Sequence, residues 1–110
     1  MKKNLKSLLG DVKNELKAII GEKLRDIILY GSYARGNYDE ESDIDIIALV
    51  EEDELKSYRE KVIELEIDLT IKYGLMPSIL IENKEYFNKN RNSEFLFQNV
   101  ITDGKIIYAA

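Results

Sequence analysis

The segment "SDIDIIALV", residues 42–50, constrains the fold more than any other part of the chain. After Asp45 it runs Ile46-Ile47-Ala48-Leu49-Val50 with no polar residue. A strand with apolar side chains on both alternating faces must be covered on both, which places it centrally in its sheet. Yet it opens with Asp43 and Asp45, whose side chains point to one face of an extended chain. Two carboxylates side by side repel, and burying them without a partner is costly. A divalent cation between them removes that cost.

The neighbouring segments supply what such a strand needs. Leu5, Leu8, Leu9, Val12, Leu16, Ile19, Ile20 and Leu24 recur at three- and four-residue steps, predicting an amphipathic helix over about residues 3–24. "DIILYGS" reads as a short buried strand that turns at Gly31, and "YARGNYDEES" as a loop with a helical turn starting at Ser32, a good N-cap residue. Asp53 is placed to cap the next helix. Its stripe runs through Leu55, Tyr58, Val62, Leu65, Leu69 and Tyr73 to a stop at Gly74. Within it, "LEIDLTIKY" also alternates as a half-buried strand would; the three-four spacing and Gly74 favour one long helix.

"LMPSILIEN" is a third strand, whose Pro77 suits an edge or a strand start. Asn83 and Ser93 are caps for short helices over about 84–89 and 94–101, and "KIIYAA" after Gly104 adds a last strand. The expectation is one domain over residues 1–110, of α/β (α+β) class, with a small mixed sheet packed against helices.

Composition removes most other chemistries. There is no histidine and no cysteine. A Ser-His-Asp triad, an imidazole base, a His- or Cys-ligated zinc and a disulfide framework are all excluded. Carboxylates, hydroxyls, backbone amides, lysine and arginine remain, and oxygen donors of this kind suit magnesium or manganese. The net charge of −5 argues against direct nucleic-acid binding. No apolar run approaches the roughly 18 residues of a membrane span, and the charged N-terminal segment is not a signal peptide, so the expected address is cytoplasmic with no membrane association.

Gly31 and Ser32 stand ten residues ahead of Asp43-x-Asp45. Glycine lets the backbone approach a ligand closely, and a helical turn begun at Ser32 would turn its free amides to the same pocket. A phosphate cradle beside paired aspartates is the apparatus for attack on a nucleoside triphosphate. Taken singly, Gly-Ser is an ordinary turn and Asp-x-Asp a solvated strand entrance. Together, between two strand-like runs, they are specific.

The combination Gly-Ser-x10-Asp-x-Asp closely resembles the signature of the DNA polymerase β-like nucleotidyltransferase superfamily. "GSYARG…SDIDI" is similar to the form in its minimal prokaryotic members, the MNT domains. "DLTIKYG" and "FLFQNVITDGKIIY" extend the resemblance over essentially the whole chain. It implies a nucleotidyltransferase-like fold, Gly31 and Ser32 on the triphosphate, and Asp43 and Asp45 as catalytic ligands of magnesium, with ATP as substrate. Arg35 is a candidate phosphate contact and equally a solvated loop cation. Tyr33 and Tyr38 are placed to stack on a base or, more simply, to pack under the loop.

The superfamily usually adds a third carboxylate on a later strand. Asp68 or Glu66 fits only if residues 65–73 form a strand, whereas "LMPSILIEN" offers Pro77 and Ser78. The resemblance further implies an AMP transfer to a hydroxyl, namely a tyrosine of a co-encoded, all-helical HEPN toxin, with this chain as antitoxin. The alternative is a nucleotide-binding antitoxin, weak or inactive in catalysis, that neutralises its partner by contact. Self-association is left open.

Overall fold

The computed structural model describes residues 3–110. Helix α1 spans Lys3–Ile20 and is followed by a 3-10 turn at Gly21–Lys23, then strand β1 at Leu24–Tyr30. The helix is four residues shorter than its apolar spacing predicts. Gly21 takes a positive φ of 75° and breaks it, so Leu24 is buried as the first residue of β1. A short helix α2, Gly31–Arg35, leads through a loop to β2, Ile44–Val50. Helix α3, Lys56–Tyr73, is the long helix expected, stopped by Gly74 in the left-handed conformation. Strand β3 is Pro77–Asn83, α4 is Lys84–Asn90, α5 is Phe95–Asp103 and β4 is Lys105–Ala109.

The sheet order is β3-β2-β1-β4. Thus β2 lies inside, as its doubly apolar sequence requires, and Pro77 starts an edge strand. Strand β1 is antiparallel to β2 and to β4, while β2 and β3 are parallel and joined through α3. Alternation then sorts the side chains. Ile27, Leu29, Ile44, Ile46, Ala48, Ile79 and Ile81 pack with α1 and α3, whose Leu8, Val12, Leu16, Val62, Leu65 and Leu69 face them. Ile47 and Leu49 turn the other way, onto Phe87 of α4 with Phe97 and Val100 of α5. The sheet is sandwiched between two helical layers. Asp11 of α1 accepts bonds from Lys72 and Tyr73 of α3, tying the two helices of one layer together; these bonds hold its carboxyl below the usual range.

Three expected caps are corrected. Helix α2 begins at Gly31, after Tyr30 and without a side-chain cap, so Ser32 lies inside it. Leu55, not Asp53, precedes α3, and the Asp53 carboxylate instead accepts from Asn83 Nδ2 at 3.2 Å. Glu94, not Ser93, precedes α5, while the Ser93 hydroxyl donates to the Asn90 carbonyl. Asn83 does cap α4, accepting from the Tyr86 amide at 2.8 Å. Among the described residues, no helix is long and apolar enough to cross a membrane.

Candidate active site

The antiparallel register sets Tyr30 opposite Asp45, so the Gly31 turn at the end of β1 lies beside the entrance to β2. Gly31 has a φ of 74°, a conformation that L residues with a Cβ rarely adopt. A Cβ placed on it would fall against Asp45 Oδ2 and only 3.2 Å from Cγ. The close approach is therefore between the glycine and the Asp45 carboxylate itself. The motif's first glycine thus seats one of the motif's aspartates.

Asp45 is partly buried and Asp43, just before the strand, is exposed. Burial first, then the Asp43 charge, push the Asp45 carboxyl up, and the Arg35 charge pulls it partly back. Tyr30 beside it is pushed up to about 12 by burial and by the Asp45 charge, so it remains a neutral phenol. The loop between α2 and β2 is held by a local turn in which the Asp39 amide donates to Ser42 Oγ at 3.0 Å and the Glu41 amide to Asp39 Oδ1 at 2.8 Å.

Arg35 does reach towards this site, but its Nη1 is paired with Asp103 Oδ2 at 2.9 Å, and the Asp103 side chain is only 15% exposed. It is thus an ion-paired residue rather than a freely solvated one. Tyr33 and Tyr38 stack on each other, with centroids 4.1 Å apart and planes within 7°, and both pack onto the core layer of α1 and α3. Packing under the loop is their arrangement.

Residues 65–73 are helical, which removes the condition under which Asp68 or Glu66 would face the site. Asp68 is exposed on the outside of α3. Glu66 Oε2 accepts from the Ile79 amide at 2.7 Å, on the outer edge of β3. Arg59 Nη2 donates to the Ile81 carbonyl of the same edge at 3.4 Å. These two side chains blunt an edge strand that would otherwise present unpaired groups. The residue in register with Asp45 on β3 is Ser78, an exposed serine. Glu66→Ala should accordingly lower stability by about 1–2 kcal/mol, through the unpaired Ile79 amide, and leave Mg–ATP affinity unchanged. Urea melts and calorimetric titration check this; a loss of affinity with unchanged stability would restore Glu66 to the site.

The donor set fits a hard divalent cation. Among the described residues no group of three metal-binding side chains occurs. Asp43 and Asp45 would hold the ion together with ligand phosphate oxygens and water, the way magnesium is usually bound beside nucleotides. Two further residues of this neighbourhood lie outside the motif: Tyr30, which alternation along β1 signals, and Asp103, 68 positions from Arg35 and without a local signal.

The nucleotidyltransferase domain model matches residues 9–102. The chain belongs to the nucleotidyltransferase domain family. This nucleotidyltransferase domain is 38% identical over 105 residues to a candidate protein adenylyltransferase of Methanocaldococcus jannaschii, covering 96% of the chain and 99% of the relative. It is 37% identical over 82 residues to the protein adenylyltransferase MntA of Thermococcus cleftensis, covering 68% of the chain and 81% of the relative. Among solved structures, its fold is similar to a chain in the complex of tri-AMPylated Shewanella oneidensis HEPN toxin with MNT antitoxin. That likeness has a TM-score of 0.59 at 21% identity, over 96% of this nucleotidyltransferase domain and 72% of the other chain. The expected family and fold class are borne out.

Proposed function

We propose that this nucleotidyltransferase domain transfers AMP from ATP to a hydroxyl of a partner protein, a tyrosine of a HEPN-type helical toxin, and acts as its antitoxin. The observation that carries the reading is the seating of Asp45 on the Gly31 turn, which brings the paired aspartates and the Gly31-Ser32 turn to one point. The names of the relatives support protein adenylylation, and the toxin–antitoxin complex supports the class of partner.

In the reaction, the acceptor oxygen attacks the α-phosphorus. The bond from that phosphorus to the pyrophosphate oxygen breaks, pyrophosphate departs with the bonding electrons, and the hydroxyl proton passes to water. Magnesium, when bound, supplies charge neutralisation on the phosphates and a more acidic hydroxyl. The chain's own part is to hold Asp43 and Asp45 adjacent, with the Gly31-Ser32 turn and Arg35 nearby for the triphosphate. On this reading the partner protein presents the acceptor hydroxyl.

One observation favours a second reading. Ser78 stands where a third carboxylate would lie beside Asp45, and without that group a binding-only antitoxin is the alternative. The test is to mix the protein with a HEPN-type helical protein from the same genome, ATP and magnesium, and to record intact masses. AMP added to the partner, and absent with Asp43→Asn/Asp45→Asn, supports transfer. A tight complex with no added mass supports the second reading. Efficient modification of an aminoglycoside by this protein alone would overturn the protein acceptor.

A further inference from the structure

Between β3 and the α4–α5 elbow lies a groove lined by Leu80, Tyr86, Phe95 and Leu96, with Glu82 and Glu94 among its walls. Phe95 is 78% exposed, Tyr86 45% and Leu96 40%. Single exposed apolar side chains are ordinary on protein surfaces; three in one groove form a patch.

Two observations connect the groove to the candidate site. Along β3, Ser78, Leu80 and Glu82 pair with Asp45, Ile47 and Leu49 and share their face of the sheet. The groove therefore starts about 7 Å, two strand residues, from the neighbour of Asp45. On α5, Leu96, Asn99 and Asp103 recur at three- and four-residue spacing and lie along one side of the helix. The far member of that row, Asp103, grips Arg35. One strip of surface runs from the paired aspartates to Leu96.

We propose that this groove docks the acceptor protein, receiving an apolar side chain flanked by lysine or arginine, and thereby delivers the acceptor hydroxyl to Asp43 and Asp45. The proposal rests on the reading of the acceptor as a protein. None of the described residues lining the groove is basic, and two are glutamates, so a basic flank on the partner is complementary. A second copy of this chain, at net charge −5, is a poorer occupant. Strand addition is disfavoured as well, because Glu66 and Arg59 already occupy the outer edge of β3. The partner docks by side chains. The distance from Ser78 to Leu80 and Glu82, about 7–14 Å, places the anchor roughly one and a half to two and a half turns from the hydroxyl residue on a helical acceptor.

The variants are Phe95→Glu, which changes a side chain already in solvent, and Leu96→Glu. Circular dichroism checks their folding. Calorimetry with Mg–ATP, direct binding of a HEPN-type helical protein from the same genome, and the rate of AMP addition to it are measured for parent and variants. The expected result is unchanged Mg–ATP affinity with at least a tenfold weaker binding of the protein and a raised KM for it. Variants that bind and modify the partner as the parent does would overturn the groove and leave the transfer reading standing. Groove-dependent binding without AMP addition by either protein would keep the groove and overturn transfer. A parent that neither binds nor modifies the partner overturns both.

Discussion

Asp43→Asn with Asp45→Asn is expected to abolish Mg–ATP binding while leaving the melting temperature at pH 7, without divalent cations, no lower than the parent's. The two acids lie beside each other, and Asp45 is partly withdrawn from water against Gly31 and Tyr30. The nearest compensating charge, Arg35, is shared with Asp103. Ionised, the pair is therefore a liability to the free protein and an asset only when a cation is bound. The sign of the pH dependence follows. The folded-state pKa of Asp45 lies above the ordinary aspartate value. Its contribution to stability is full below that value and is lost as pH rises through the folded pKa. An asparagine there does not titrate, so the mutant's advantage should open across that window and stay constant above it. Thermal melts in EDTA from pH 3 to 8, with calorimetric titration of Mg–ATP, measure both effects. A double mutant that binds Mg–ATP as tightly as the parent would end the assignment.

Gly31→Ala should lose at least tenfold in Mg–ATP affinity and about 1–2 kcal/mol of stability, roughly 5–10 °C in melting temperature for a domain of this size. The stability loss has two sources, the positive φ and the collision of the new Cβ with the Asp45 carboxylate. A double-mutant cycle separates them. In an Asp45→Ala background the collision is gone and only the conformational cost remains, so the alanine at 31 should be less harmful there. Equal losses in both backgrounds would show that turn geometry alone accounts for the glycine.

These two residues also show how far sequence carries. Gly31, Ser32, Asp43 and Asp45 are legible because two adjacent strands and one loop fix their meeting, and everything needed lies within 15 residues. Strand β2 and the Gly74 stop are legible for the same local reason. The segment 65–73 is ambiguous in sequence because it is apolar on two sides: Leu65 and Leu69 turn into the core, while Ile67 and Ile71 lie outside, Ile71 at 79% exposure. Alternation and helical spacing then both fit, and only tertiary packing decides. The end of α1 is hidden in the sequence because Leu24 keeps the apolar spacing after Gly21 has already broken the helix. The Ser78 position and the Arg35–Asp103 pair carry no local sequence signal. One depends on a parallel register set across α3, the other on a contact over 68 positions.

The arrangement of β4 bears on how the molecule assembles. Strands β1 and β2 meet across a short loop, and β3 returns to β2 after one helix, so three strands can form from near neighbours. Strand β4 is different: its Lys105–Ala109 pair with residues of β1 near the other end of the chain. Closing that interval has a larger entropic cost and no local contacts to guide it, which makes it a late event in folding. Helix α5 directly precedes β4 and carries both Leu96 and the partner of Arg35. The paired aspartates can thus be in place on a nascent sheet before the groove beside them exists, so the nucleotide half of the site matures earlier than the half that meets another protein.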